Sequence, residues 1–269
     1  MNVALQVPPL RLLRQEAHTS VSAIKTFLQC PRKYSLHYIE RAEPSFRSAA
    51  LAFGTAFHEA IGEHLRISHH EHVAPIDELH EVFSRIYQEQ LAVDDVPVLF
   101  DEGESADQQM AMARGMISAF VEQVPMPNRV AGIEVPFRIE LHDPETGEVL
   151  PSLVGAIDAV VETDDGVEAW ELKSSARRWS QDQLDYDPQP TVITMGARRL
   201  RFEDATPVLI VTTKTKTPAV QVAPVHRGPE DERDIVAIAS SVERAIEVGV
   251  NHPVRGWACR GCAYSHACH

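Results

Sequence analysis

Asp158, Glu171 and Lys173 fall within the run GAIDAVVETDDGVEAWELKSS (155–175), spaced as D-x12-E-x-K. Glu171 and Lys173 are two apart, so on a strand both side chains leave the same face. The turn signal TDDG (163–166) folds the run into a hairpin and brings Asp158 towards Glu171. Two carboxylates suit Mg2+ or Mn2+, hard cations that prefer oxygen ligands and keep waters. A neighbouring ammonium can orient or help deprotonate a metal-bound water, the nucleophile of phosphodiester hydrolysis. On a surface hairpin the same residues would be solvated cross-strand pairs. The flanking AID-AVV and AW-E-L segments instead describe buried strands, where a charge is costly unless it holds a cation or reacts.

A second stretch with chemistry is CRGCAYSHACH (259–269), in which Cys259, Cys262 and Cys268 are spaced C-x2-C-x5-C. Three thiolates this close look like part of a metal site, although structural zinc and iron–sulfur sites usually want four ligands. A redox-active terminus and a loose tail are the other readings. With four cysteines in all, three crowded at one end, the chain does not resemble a secreted disulfide scaffold.

These residues sit in a chain of ordinary globular composition: 269 residues, 44% hydrophobic and 24% charged. No apolar run approaches the roughly 18–20 residues that span a bilayer. The start, MNVALQVPPLRLLRQEAHTS, lacks a signal-peptide layout, so a cytoplasmic protein is expected. The net charge of −14 argues at first against nucleic acid. Net charge governs solubility and steering, however, rather than what one face binds. Much of the acid lies in 71–108, where Arg85 is the only Lys or Arg, whereas bases cluster in ARR (176–178), ARRLR (197–201) and TKTKT (213–217). The acidic segment reads as a gate, a partner surface or a solubilising insertion.

The elements that must position the hairpin follow from periodicity. Residues 19–40 read as a helix with Ser20 or Ser22 as cap and a stripe at Ile24, Phe27 and Leu28, which Pro31 interrupts or follows with a second helix. The stripe recurs at Phe57, Ile61 and Leu65 in 54–67, and further helices are expected at about 75–92 and 106–124. The period then becomes strand-like: 132–141, a turn at 143–149, 153–162, and the strand carrying Glu171 and Lys173. A helix over 191–202 beginning only at Pro190, strands at 207–213 and 219–225, and a last helix over 230–249 complete the order. The expected fold is α/β, with a mixed central sheet flanked by helices. Its parts are a helical N-terminal region (about 19–124), a core (about 130–226) and a C-terminal helix with the cysteine cluster (229–269), in one domain over 1–269.

Five segments in this order, SAIKTFLQCPRKY (22–34), FGTAFHEAI (53–61), GAIDAVV, WELKSS and the terminal cysteines, resemble the PD-(D/E)XK nuclease superfamily. The resemblance is to its RecB-type iron–sulfur exonucleases, which include the AddB nuclease domain and the CRISPR-associated four-cysteine exonucleases. It implies a restriction-endonuclease-like fold and a metal-dependent DNA exonuclease acting on single strands or ends, in recombination, repair or CRISPR adaptation. By the same resemblance Asp158, Glu171, the backbone carbonyl of Leu172 and His58 form the Mg2+ or Mn2+ shell, and Lys173 positions the attacking water. Glu134 is a further candidate for that site, or else caps a helix or pairs with an arginine. The family's glutamine corresponds to Gln189, while Ile193 stands where its tyrosine would fall.

The resemblance also supplies a fourth cysteine, Cys30, which with Cys259, Cys262 and Cys268 would hold a [4Fe–4S] cluster. Zn2+ on the same thiolates is the chemical alternative, with His266 and His269 as substitute ligands. DNA contacts are expected from Arg32, Lys33, Arg177, Arg178, Arg198, Arg199 and Arg201, and a helicase or integrase is the expected protein partner. A non-catalytic iron–sulfur subunit that binds DNA is the competing function.

Overall fold

The computed structural model of the chain describes residues 8–68, 73–93 and 96–268. Ser20 caps α1 (Val21–Gln29) by accepting the Ala23 amide N–H, and Val21, Ala23, Ile24 and Phe27 form its buried stripe. Leu28, expected on that stripe, is 60% exposed. One step along a helix turns about 100°, so the residue after Phe27 leaves the core. Pro31 opens a separate short helix, α2 (Pro31–Tyr34), where its missing N–H breaks no bond, and a π-helical turn (Ser35–Ile39) follows.

Helix α3 (Ala49–Ile67) starts at Ser48, which caps it through the Ala50 amide, earlier than Gly54. Helices α4 (Ile76–Ala92) and α5 (Ala106–Gln123) match their expected spans. The acidic segment is therefore not an insertion thrown clear of the core. Its helix α4 buries Leu79, Phe83 and Tyr87, and only the outer face carries the acid.

Five strands follow in the chain: β1 (Arg129–His142), β2 (Val149–Thr163), β3 (Gly166–Ser175), β4 (Thr206–Thr213) and β5 (Val220–Pro224). Between β3 and β4 lie α6 (Gln181–Tyr186) and α7 (Pro188–Arg199), and α8 (Pro229–Glu247) comes last. Helix α6 escaped the periodicity reading because it buries nothing, although its S-x-x-Q capping box (Ser180, Gln183) was visible. Helix α7 begins at Pro188 rather than Pro190, since Asp187 caps it by accepting the Gln189 amide. It ends at Arg199, and Arg201 takes a left-handed φ of 68°.

Pairs β1–β2, β2–β3 and β4–β5 are antiparallel, and β3–β4 is parallel, with α6 and α7 forming the crossover that parallel neighbours need. The two-residue strand His18–Thr19 adds alongside Ser152–Leu153 as a sixth member. This is the mixed α/β sheet flanked by helices that the pattern predicts. Strand β4 is buried almost throughout and the middle of β3 is too, as expected of strands covered on both faces. Trp170, Leu172 and Ile210 pack under α3, α4 and α5 against Phe53, Phe57 and Phe120. Ala169 and Val160 pack on the opposite side, under α1, α7 and α8, with Phe27, Ile193 and Ile235. Among the described residues no helix is long and apolar enough to cross a membrane.

One close approach seats α7 on the sheet. The Phe137 ring fills the space above both Gly155 and Gly196, and a Cβ on either glycine would come within 2.6 Å of it. Because Phe137 is fully buried and cannot swing aside, Gly196→Ala should destabilise the fold by about 1–3 kcal/mol through overpacking. Urea unfolding should show the midpoint fall, and an unchanged midpoint would mean that α7 moves freely on β1.

Candidate active site

The β2–β3 hairpin turns at Gly166, whose φ of +117° suits a residue without a Cβ. Its ladder runs from Thr163–Gly166 to Ala159–Trp170 and then stops. At the next position Asp158 Oδ2 accepts the Leu172 amide N–H at 2.7 Å, so a side-chain carboxylate replaces the cross-strand carbonyl and the two strands part. His58, on the α3 face that looks onto this gap, places Nδ1 3.6 Å from Asp158 Oδ1.

Glu171 is 4% exposed and lies on the same face as Lys173, as their spacing requires. Its Oε1 accepts from Lys173 Nζ, while its Oε2 is buried with no partner among the described residues. An unpaired buried carboxylate oxygen is costly, and a cation would relieve it. Burial and the neighbouring Asp158 raise the Glu171 pKa from its ordinary value of 4.5 to about 7, against the pull of Lys173. Burial alone would lower Lys173, but the Glu171 carboxylate outweighs it and holds the ammonium charged. His58 is likewise raised, its contact with Asp158 outweighing burial.

Glu134 closes the other side of the gap. Ile133 pairs with Ala159 and Val135 with Ile157, so Glu134 stands opposite Asp158. It adopts a left-handed φ of 48° in mid-strand, a conformation that costs on the order of 1–3 kcal/mol and gathers at functional sites. Burial, then Glu59 and Asp158, raises its pKa against the nearby Arg66. His58, Glu134, Asp158 and Leu172 all line one small cavity, together with Glu59 and Arg66. Sequence reasoning passed over Glu59 and Arg66, although their i, i+7 spacing puts them on one helical face, where their side chains come within 4.0 Å of each other. It also passed over Asp187, whose charge reaches Lys173 while its carboxylate pairs with Lys25 at 2.6 Å. The Asp-Pro pair that caps a helix was its signal.

As placed, no three His, Cys, Asp or Glu side chains among the described residues converge tightly enough to bind one ion. The donors are nonetheless the right ones. Asp158 and Glu171 supply hard oxygens on either side of the Leu172 amide, one of those oxygens is unpartnered, and His58 stands beside them. A divalent ion would be held by Asp158, Glu171, the Leu172 carbonyl and His58.

The cysteines gather where α1 meets α2. Cys30 caps α2, and its Sγ accepts from the amides of Lys33 (3.5 Å) and Val254 (3.4 Å), while Cys259 Sγ accepts from Gly256 (3.5 Å). All four cysteines are free thiols and line a single cavity of about 150 Å³ with Leu36, Val254 and Tyr264. Four sulfur donors around one cavity fit a four-thiolate metal group. His266 is exposed and does not line the cavity, and His269 lies outside the described residues.

The predicted DNA contacts do not gather in one place. Arg177 and Arg178 are exposed just past the end of β3. Arg32 is not free for a phosphate, because its guanidinium binds Glu40 and the Ala267 carbonyl. Lys33 borders the cysteine cavity. Arg198 pairs with Glu232, and with Arg199 and Arg201 it marks the far end of α7 from Gln189, roughly 15 Å away at 1.5 Å per residue.

A family model described as the PD-(D/E)XK nuclease superfamily matches residues 18–269. A crystal structure from Eubacterium rectale, provisionally described as an exonuclease, superposes with a TM-score of 0.59. It is 14% identical in sequence, and the match covers 95% of this chain and 93% of that one, so the likeness is one of fold. No curated protein matches the chain.

The raised Glu171 carboxyl makes stability depend on pH. Between about 4.5 and about 7 the metal-free protein binds a proton that the unfolded chain releases. This group's stabilisation is therefore complete below the unfolded value and is lost as pH rises through the folded one. In EDTA, Glu171→Gln should flatten that fall in Tm relative to wild type, and Mn2+ should raise the wild-type Tm most at the upper end of the window. Parallel Tm profiles for the two proteins would refute the assignment.

Proposed function

The chain belongs to the PD-(D/E)XK nuclease superfamily, and on that footing we propose that it is a divalent-metal-dependent deoxyribonuclease that degrades DNA from ends, with single strands preferred. The observation that carries this reading is the unpartnered, buried Oε2 of Glu171 beside Asp158, with Lys173 held against the same carboxylate. A helix–sheet core with no chemistry to do would not keep these charges at the centre of its sheet.

Mg2+ or Mn2+, when bound, would supply a Lewis acid and an acidified water. The chain's own residues do the rest. Lys173, fixed by Glu171 and kept charged, orients the attacking water and balances the negative charge that builds on the phosphoryl oxygens. Asp158 is oriented by the Leu172 amide, and the protonatable His58 steadies its second oxygen. Gln189, in the first turn of α7, contacts the DNA backbone beside Lys173. Glu134 borders the shell as an outer acid.

For the subtype we propose a RecB-type iron–sulfur exonuclease, in which Cys30, Cys259, Cys262 and Cys268 hold a [4Fe–4S] cluster. The whole of 1–269 then acts as one nuclease domain, in recombination, repair or CRISPR adaptation, with a helicase or integrase delivering the strand. Support comes from the shared cavity of the four thiols and from the ties between chain ends at Arg32–Ala267 and Ser45–Ala263.

With Mn2+ and end-labelled single-stranded DNA, cluster-loaded wild type should degrade the strand, and Lys173→Ala should be slower by at least about 100-fold. Equal, negligible rates for both proteins would leave a non-catalytic DNA-binding subunit. Separately, anaerobically purified protein should be brown with four iron atoms per chain's four thiolates, and Cys30→Ala should lose colour and solubility together. A colourless protein with stoichiometric zinc would replace the iron.

A further inference from the structure

Between Val154 and Asp158, β2 has no partner on its β3 side among the described residues. The strand His18–Thr19 pairs only with Ser152–Leu153, and the β3 ladder begins at Ala159. Against this bare edge runs a groove of about 440 Å³, floored by Gly155 and Ala156 and walled by Arg14, His18, Tyr38 and Gln189. Ala156 lies two residues before Asp158 on the same strand, roughly 7 Å along it, and Gln189 lies two residues after Asp187, whose charge reaches Lys173. The groove therefore ends beside the candidate active site, although the two cavities share no lining residue. The protein carries 39 acidic residues against 25 Lys and Arg, yet none of the described residues that line this groove is acidic.

Tyr38 is placed there by the π-helical turn, an uncommon element that recurs at functional sites. It is 38% exposed, and its ring is braced by Tyr34 at 4.8 Å and by His37 at 4.4 Å between centroids. His37 is in turn tied to Tyr264 by a 2.5 Å contact from its Nδ1 to the phenol oxygen. A braced aromatic, an arginine, hydrogen-bonding side chains and free backbone groups beside a phosphodiester-cleaving site are the chemistry that holds a strand by its bases and phosphates.

We propose that this groove is the track for single-stranded DNA next to the scissile phosphate, with a base stacked on Tyr38 and a phosphate held by Arg14. The track rests on the nuclease reading above and adds residues that its catalytic motifs do not contain. Because stacking needs an unpaired base, the track selects single strands over duplex. It also gives the strand an aromatic partner beside Gln189, where Ile193 is fully buried and offers none.

The test is fluorescence anisotropy of a labelled oligothymidylate, longer than the roughly 16 nucleotides of a large single-strand site, with full-length protein in EDTA. Tyr38→Ala should weaken binding about 5- to 150-fold, and Tyr38→Trp should restore it. Arg14→Ala should reduce the slope of log affinity against log salt by about 0.7, one phosphate's share on a single strand. Binding of a blunt hairpin duplex should change in neither variant. Should Tyr38→Ala fail to fold, Arg14→Ala and Tyr38→Trp, which keeps the ring, still decide the matter. Wild-type binding with no loss in Tyr38→Ala and no slope change in Arg14→Ala would overturn the track and leave the nuclease reading standing. Wild type that binds no DNA at all would overturn both.

Discussion

A single hydrogen bond governs the centre of this protein: the Asp158 carboxylate takes the Leu172 amide that a backbone carbonyl of β2 would otherwise accept. The substitution ends the β2–β3 ladder in the middle of an otherwise continuous sheet. Past that point β2 stays with β1 while β3 stays with β4, and a cleft opens between strands that are both anchored in apolar layers. Glu171, Lys173 and His58 face the space so created. The cleft is a property of the sheet itself rather than of a loop, which keeps the carboxylates fixed to within the rigidity of the core.

The arrangement is held against its own electrostatics. Asp158 and Glu59 stand close enough to the buried Glu171 and Glu134 that these two resist ionisation, and Lys173, His58 and Arg66 only partly compensate. The strained backbone at Glu134 adds to the cost. Two apolar layers, one under α3 to α5 and the other under α1, α7 and α8, offset it. Such frustration at one spot within a consistent scaffold is the usual mark of a site shaped by function rather than by folding.

Much of this was legible in the sequence, because the central hairpin obeys strict periodicity. The spacing of Glu171 and Lys173, the turn at 163–166 and the apolar dress of both strands place the three charges together, and the structure puts Lys173 on Glu171. What periodicity cannot carry is the partner of a side chain drawn from elsewhere in the chain. Arg32 looked like a phosphate contact until the Ala267 carbonyl, far along the chain, claimed it. Helix α6 was invisible because it buries nothing, and the start of α7 was misplaced because a capping aspartate outweighed the prolines beside it. The unpaired edge of β2 could not be read either, since an edge is defined by strands that fail to arrive.

The contacts that join α2 to the tail link residues 235 positions apart. A chain emerges from synthesis in order, so Cys30 must wait, uncapped by its partners, until the more than two hundred residues between it and Cys259 have been made. Closing so long a loop adds little to the thermodynamic cost, about 0.6 kcal/mol for each doubling of length, but it delays the event. During that interval the thiols are at their most accessible, and thiolate exposure is what determines oxidation. Tail capture and thiol oxidation therefore compete for the same thiols, a contest that oxygen tilts without altering a single contact in the finished fold.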